Sequence, residues 1–266
     1  MAQRAESNGI ELAYERSGEG GLPVVLVHGL GGRREVWSAQ REGLAGAGFD
    51  AIAIDMRGHG DSARPAEPYS VELWAADLVG LLDALELERA ALIGHSIGCT
   101  VVEHAALELG ERCPALAMLG GALGFGEAFR ATLRERAELA RAGRMREIGE
   151  AVAGTGLTER AHAERPELVS SVVDLIASND PECYAASALA TAEASMRDPG
   201  RLSAPALAFA GSEDPVGPPR AAEEIAAAMP SGESAVVEGG AHMCMIEASE
   251  RTTTVLREFL QRTATG

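Results

Sequence analysis

Six short apolar runs, several rich in β-branched residues, punctuate the chain: VVLVHG (24–29), AIAID (51–55), ALIGH (91–95), LAMLGG (116–121), ALAFAG (206–211) and AVVEGG (235–240). Such runs do not show the clean apolar-polar alternation of a half-exposed strand, and they predict parallel strands buried on both faces. Helical patterns lie between them. From Val71 to Leu87, residues Leu73, Trp74, Leu78, Leu81, Leu82 and Leu85 recur mostly at helical spacing, which predicts an amphipathic helix. Further helices are predicted after Ser96, over 219–229 and over 247–260. The alternation implies βαβ units, and hence an α/β fold built on a mostly parallel, doubly wound sheet.

Between the fourth and fifth runs the alternation stops. Residues 125–201 are rich in the helix formers Ala, Arg, Glu and Leu, with no convincing strand. Segments such as EAFRATLRERAELARAGRMREIGEAV and PELVSSVVDLIA predict several helices joined at Gly and Pro breaks. The expected organisation is one core made of residues 1–124 and 202–266, with a helical cap over 125–201. The arginines of this insertion, Arg130, Arg134, Arg136, Arg141, Arg144 and Arg146, alternate with glutamates and read as a solvated helix face. The alternative is that one of them reaches an anionic substrate.

Composition narrows the classes without choosing a reaction. Across 266 residues, 46% are hydrophobic and 24% charged, ordinary values for a globular chain. No apolar run approaches the roughly 20 residues of a membrane-spanning helix. The opening MAQRAESNGI lacks the features of a secretory signal, and the four cysteines have neither paired nor metal-ligand spacing. Reduced thiols in a cytoplasmic protein are expected. A net charge of −17 repels phosphates and anionic lipid surfaces, so neither a nucleic-acid nor a membrane partner is expected. The oligomeric state is left open.

The chemistry concentrates in three loops. GHSIG, residues 94–98, matches G-x-S-x-G, a weak signal alone; here it joins a predicted strand to a predicted helix, the context that lifts a serine hydroxyl above a sheet. Side chains at Gly94 or Gly98 would obstruct the close approach of strand and helix. A serine hydroxyl is a poor nucleophile near neutral pH and requires a base with an orienting acid. Of six histidines, His242 alone sits in a short loop, GGAHM, after the last predicted strand and before the last helix. SEDPVGPP, at the end of ALAFAG, offers Glu213 and Asp214 as the acid. Loops at the carboxyl ends of parallel strands are where binding groups gather. The backbone N–H of Ile97, next to the serine, and that of Leu30, in the HGLGG loop, are candidate donors to an oxyanion. Cys99 and Cys244 read as buried thiols rather than nucleophiles.

Taken together, LVHGLGG, DMRGHGDS, GHSIGCTVV, AGSEDPVGPP and GGAHMCMIEASE stand in the order and spacing of the α/β-hydrolase superfamily, which the chain resembles over nearly its whole length. The resemblance implies Ser96, Asp214 and His242 as nucleophile, acid and base, with Asp214 rather than Glu213 at the acid position. The second half is most similar to 3-oxoadipate enol-lactonases. It departs from them at Glu35, where those enzymes carry arginine two residues before a tryptophan, and in a cap without tryptophan. The expected activity is hydrolysis of a small carboxylic ester or lactone through an acyl-enzyme, with no cofactor and no metal. Cleavage of a carbon–carbon, amide or thioester bond, perhydrolysis, and a ligand receptor of the same fold are the alternatives. Epoxide hydrolysis and haloalkane dehalogenation are disfavoured, because relatives with those chemistries use a carboxylate at the position of Ser96.

Overall fold

A computed structural model describes residues 2–66 and 68–263. Its centre is an eight-stranded sheet: β1 (Gln3–Ser7), β2 (Ile10–Ser17), β3 (Pro23–Val27), β4 (Asp50–Ile54), β5 (Ala91–His95), β6 (Leu116–Leu119), β7 (Ala206–Gly211) and β8 (Gly232–Val237). The spatial order is β1-β2-β4-β3-β5-β6-β7-β8. β3 to β8 run parallel, and only the pairings of β2 with β1 and β4 are antiparallel. The six apolar runs fall on β3 to β8.

Strand residues two apart face the same side, and each side is buried. Val25, Val27, Ile52 and Ile54 join a core with Trp74, Leu78, Val102 and Ile225, from α2 (Val71–Ala84), α3 (Ile97–Leu109) and α9 (Pro219–Ala228). Their neighbours Val24, Leu26, Ala51 and Ala53 face the other way, against Leu44 of α1 (Ser38–Gly46) and Leu256 and Phe259 of α11 (Ser249–Thr263). Burial on both faces explains why the strands read as continuous apolar runs.

The amino-terminal hairpin β1–β2 was not among the predicted elements. Its turn is Asn8-Gly9, with φ of 49° and 76°, between the paired residues Ser7 and Ile10. Two positive φ values at Asn-Gly are the mark of a type I′ hairpin. At the other end, the helix predicted over 247–260 is α11, preceded by the short α10 (Cys244–Glu247).

Between β6 and β7 the chain forms five helices: α4 (Glu127–Arg141), α5 (Met145–Gly156), α6 (Glu159–Glu164), α7 (Pro166–Ala177) and α8 (Pro181–Ala192). Ala137, Ala140, Ile148, Ile176, Tyr184 and Ala188, from α4, α5, α7 and α8, form a shared core. An isolated antiparallel bridge between Gly124 and Ser195 draws the two ends of the segment together. Among the described residues, no helix is long and apolar enough to cross a membrane.

Candidate active site

Ser96 follows β5 directly and precedes the first residue of α3. Its φ of 55° and ψ of −120° are unusual for a residue with a side chain, a conformation that costs on the order of 1–3 kcal/mol and persists only where its surroundings dictate it. They do so here. The Ser96 N–H donates to Leu119 O at 2.9 Å, and Ser96 O accepts from the Cys99 N–H at 2.9 Å. A Cβ on Gly94 would strike the Gly98 carbonyl; one on Gly98 would lie 2.7 Å from Val27 O and 2.8 Å from His28 O. Both flanking positions therefore require glycine, as the pentad suggested.

His242 lies beyond the end of β8, and its Nδ1 is 2.9 Å from Asp214 Oδ2. The other carboxylate oxygen, Oδ1, accepts from the Val216 N–H at 2.8 Å and the Gly217 N–H at 2.9 Å. Burial pushes the Asp214 carboxyl up, but the His242 charge and hydrogen bond, with those two amides, outweigh it and hold its pKa below the ordinary value. Asp214 is thus an anion that accepts from every neighbour, which fixes His242 as the Nδ1–H tautomer and leaves Nε2 for a proton from elsewhere. Glu213 has no such contact with His242; its N–H donates to Gly240 O at 3.0 Å.

Three contacts secure the His242 loop. His95 Nε2 lies 2.9 Å from His242 O, the Met243 N–H donates to Gly156 O at 2.9 Å, and the Ala241 N–H donates to Glu247 Oε2 at 3.0 Å. A carbonyl can only accept, so His95 Nε2 carries the proton. Burial, then the neighbouring His242, depress the His95 pKa to about 3 and keep its ring neutral. Gly120, at the end of β6 with φ of 62°, leaves room beside the pair: a Cβ there would lie 3.0 Å from both Asp214 Oδ2 and His242 Nδ1. Gly120→Ala is expected to displace the imidazole and lower kcat by about 10- to 100-fold, measured on any turned-over ester; an unchanged kcat would show that the pair tolerates the methyl group.

Leu30 lies in the loop after β3. Its N–H has no protein acceptor among the described residues, and Ile97, as the first residue of α3, has one of the amides a helix leaves unpaired. Two buried histidines shape the Leu30 loop. His59 Nε2 accepts from the Gly31 N–H at 3.2 Å, and His28 Nε2 accepts from the Met56 N–H at 3.0 Å. Both rings donate through Nδ1, to Arg57 O and Gly29 O.

Ser96, His242 and Leu30 line one cavity of about 70 Å³ with Phe129, Met243 and Arg136. α4, α5, α7 and α8 all contribute to its walls. A larger cavity, about 550 Å³, lies beside Tyr69, His104 and Arg197 and touches neither Ser96 nor His242.

The remaining candidates separate cleanly. Arg34 is buried in ion pairs with Asp55 and Asp61, and Arg33 donates to Ser178; neither lines the Ser96 cavity. Glu35 is half exposed beside Arg34. All four cysteines are free and buried. Burial pushes the Cys99 thiol up, and Cys244 up to about 12, so both stay protonated and are poor nucleophiles. Among the described residues no cluster of His, Cys, Asp and Glu suits a metal ion. Sequence reasoning missed His95 and Gly120, and it carried Arg136 only within the group of cap arginines, one of which, as the alternative, reaches an anionic substrate. Only Arg136 left a readable trace, since it falls at helical spacing with Phe129, Leu133 and Ala140 rather than with its charged neighbours.

Comparison with known proteins agrees with this architecture. The family model described as alpha/beta hydrolase fold matches residues 23–249. Over 209 residues the chain is 30% identical to 3-oxoadipate enol-lactonase 2 of Acinetobacter baylyi, covering 78% of this chain and 77% of the relative. Over 117 residues it is 43% identical to epoxide hydrolase A of Mycobacterium tuberculosis, covering 43% of this chain but 36% of that protein's length. Among solved structures, a malate-bound thermophilic esterase from Thermogutta terrifontis superposes with a TM-score of 0.92 at 30% identity, over 99% of both chains. The chain belongs to the α/β-hydrolase family.

Proposed function

We propose that this protein is a serine hydrolase of small carboxylic esters or lactones. The observation that carries the reading is the 2.9 Å contact between His242 Nδ1 and Asp214 Oδ2, beside a cavity that His242 shares with Ser96 on its constrained turn. In this reading His242 Nε2 takes the Ser96 proton as Oγ attacks the carbonyl, and the amides of Leu30 and Ile97 stabilise the oxyanion. Asp214 stabilises the imidazolium. His242 then returns the proton to the departing alkoxide, or to a lactone's tethered alcohol or enol. Water, deprotonated by the same histidine, releases the acid and restores Ser96.

Similarity to the Acinetobacter enol-lactonase along most of the chain extends the reading to lactones. Epoxide hydrolase chemistry is disfavoured by a serine, not a carboxylate, at position 96. Residues 1–124 and 202–266 carry the reacting groups and 125–201 act as the cap; the buried free thiols suit the cytoplasm.

The test combines a substrate panel with active-site labelling. Short 4-nitrophenyl esters, an enol-lactone, a saturated lactone and a vinylogous diketone are compared by kcat/KM. A fluorophosphonate is then mapped by peptide mass spectrometry. Multiple turnover of an ester or lactone with the label on Ser96 is expected. Equal labelling of Ser96→Ala would overturn the mechanism. Turnover of the diketone alone would replace ester cleavage with carbon–carbon cleavage, and ligand binding without turnover would favour a receptor.

A further inference from the structure

We infer that Arg136 forms a carboxylate-binding subsite, so that the preferred substrates are short esters or lactones bearing an anionic group. This inference rests on the ester or lactone reading above. It begins with the uneven treatment of the cap arginines. Arg130 and Arg134 reach Glu193, and Arg134 also reaches Glu127. Arg141 reaches Glu138 and Glu182. Arg144 pairs with Glu147, and Arg146 pairs with Glu150 and Asp174. Among the described residues no carboxylate lies within salt-bridge distance of Arg136, although it is partly buried.

Position on the helix explains the difference. Phe129, Leu133 and Arg136 are spaced four and three residues apart, so they share the inward stripe of α4, and all three line the cavity with Ser96 and His242. Most of its other walls are apolar, including Leu30, Val36, Val152, Ile176, Met243 and Met245. A guanidinium brought against such a wall loses hydration without gaining an anion, an arrangement that costs stability unless a ligand completes it.

Tyr184 lies beside the guanidinium. Its side chain is almost fully buried, and its hydroxyl lies against the Arg136 guanidinium, which can donate to it. Burial pushes the phenol pKa up, while the adjacent Arg136 guanidinium works in the opposite direction. The ring sits against Gly31, where a Cβ would lie 2.8 Å from Tyr184 Cε2. A carboxylate in the cavity would complete the guanidinium, accepting from its N–H groups. Net charge does not oppose this: screening over about 8–10 Å leaves the local cation in control of the cavity.

The experiment compares 4-nitrophenyl hemisuccinate and hemiglutarate with 4-nitrophenyl 4-methylpentanoate and 5-methylhexanoate, which replace the carboxylate by an isopropyl group of similar shape. In the wild type the kcat/KM ratio of anionic to neutral ester is expected to exceed 10 for at least one length. That ratio should fall about 10- to 100-fold in Arg136→Met, recover in part in Arg136→Lys, and hold in Arg134→Met, a surface control on the same helix. A wild-type ratio at or below one for both lengths, or the same ratio in Arg136→Met, would overturn the subsite. If no ester turns over, the hydrolase reading fails separately, and calorimetry decides the subsite. Glutarate binding to Ser96→Ala that disappears on adding Arg136→Met would uphold it; no binding to Ser96→Ala would overturn it.

Discussion

Replacing Ser96 by alanine is expected to lower kcat by about 10⁵- to 10⁶-fold and replacing Asp214 by asparagine by about 10⁴-fold, with the double variant no slower than Ser96→Ala alone. The reasoning for Asp214 comes from its two oxygens. Oδ1 is held by the Val216 and Gly217 amides, while Oδ2 faces His242 Nδ1. An asparagine must keep its oxygen toward the two donors and therefore turns its NH₂ to the imidazole. An NH₂ cannot accept from Nδ1–H, so the ring changes tautomer, and the proton moves to Nε2, where the Ser96 hydroxyl must be deprotonated. The side chain keeps its place and loses its function. Non-additivity follows because, without Ser96 Oγ, the imidazole has no nucleophile to activate. Single-turnover and steady-state rates of the three variants on one ester provide the check. An Asp214→Asn variant within tenfold of the wild type would mean that His242 does not act through Asp214.

Much of this arrangement is legible in the sequence because the physics that selects it is local. A strand buried on both faces must be apolar at successive positions, as Val24 to Val27 are, and such runs stand out without any partner being known. The turn at Ser96 is equally local, since Gly94 and Gly98 are required by atoms within a few residues or on the adjacent strand. The hairpin at Asn8-Gly9 was legible in principle. Its signal is a two-residue turn rather than a long apolar run, and the strands it joins are largely exposed on β1. What no window reveals is convergence. His95 bonds to the carbonyl of His242, 147 positions away, and Gly120 matters only because Asp214 and His242 arrive beside it. Arg136 lay between these cases: its helical phase marked it as inward, but charge composition alone grouped it with its solvated neighbours.

Stability is expected to fall steeply as the pH drops below about 6.5, by on the order of 6 kcal/mol between pH 7 and pH 4.5, a large share of the 5–15 kcal/mol typical of a folded domain. The cause is three buried histidines of the site. Burial is the main influence depressing each, to about 4 for His59 and about 3 for His95, with His28 well below its ordinary value through burial and the neighbouring His59. In the unfolded chain each takes up a proton near pH 6.5; in the folded chain none does until the pH is far lower. Within that window the unfolded state binds more protons, so each ring removes about 1.4 kcal/mol per pH unit. The Asp214 carboxylate, depressed in the fold, adds its own loss only below about pH 4. Geometry gives the same direction, because protonation would remove the lone pairs of His59 and His28 that accept from Gly31 and Met56. Urea midpoints followed by circular dichroism from pH 7.5 to 4.5 measure the slope. His59→Gln, which cannot titrate and offers an oxygen to the Gly31 amide, should reduce that slope by one proton's worth. A flat profile down to pH 5 would show that these rings are hydrated and titrate normally. Because His59 also holds the loop bearing Leu30, acid should weaken the proposed oxyanion stabilisation and the fold through the same proton.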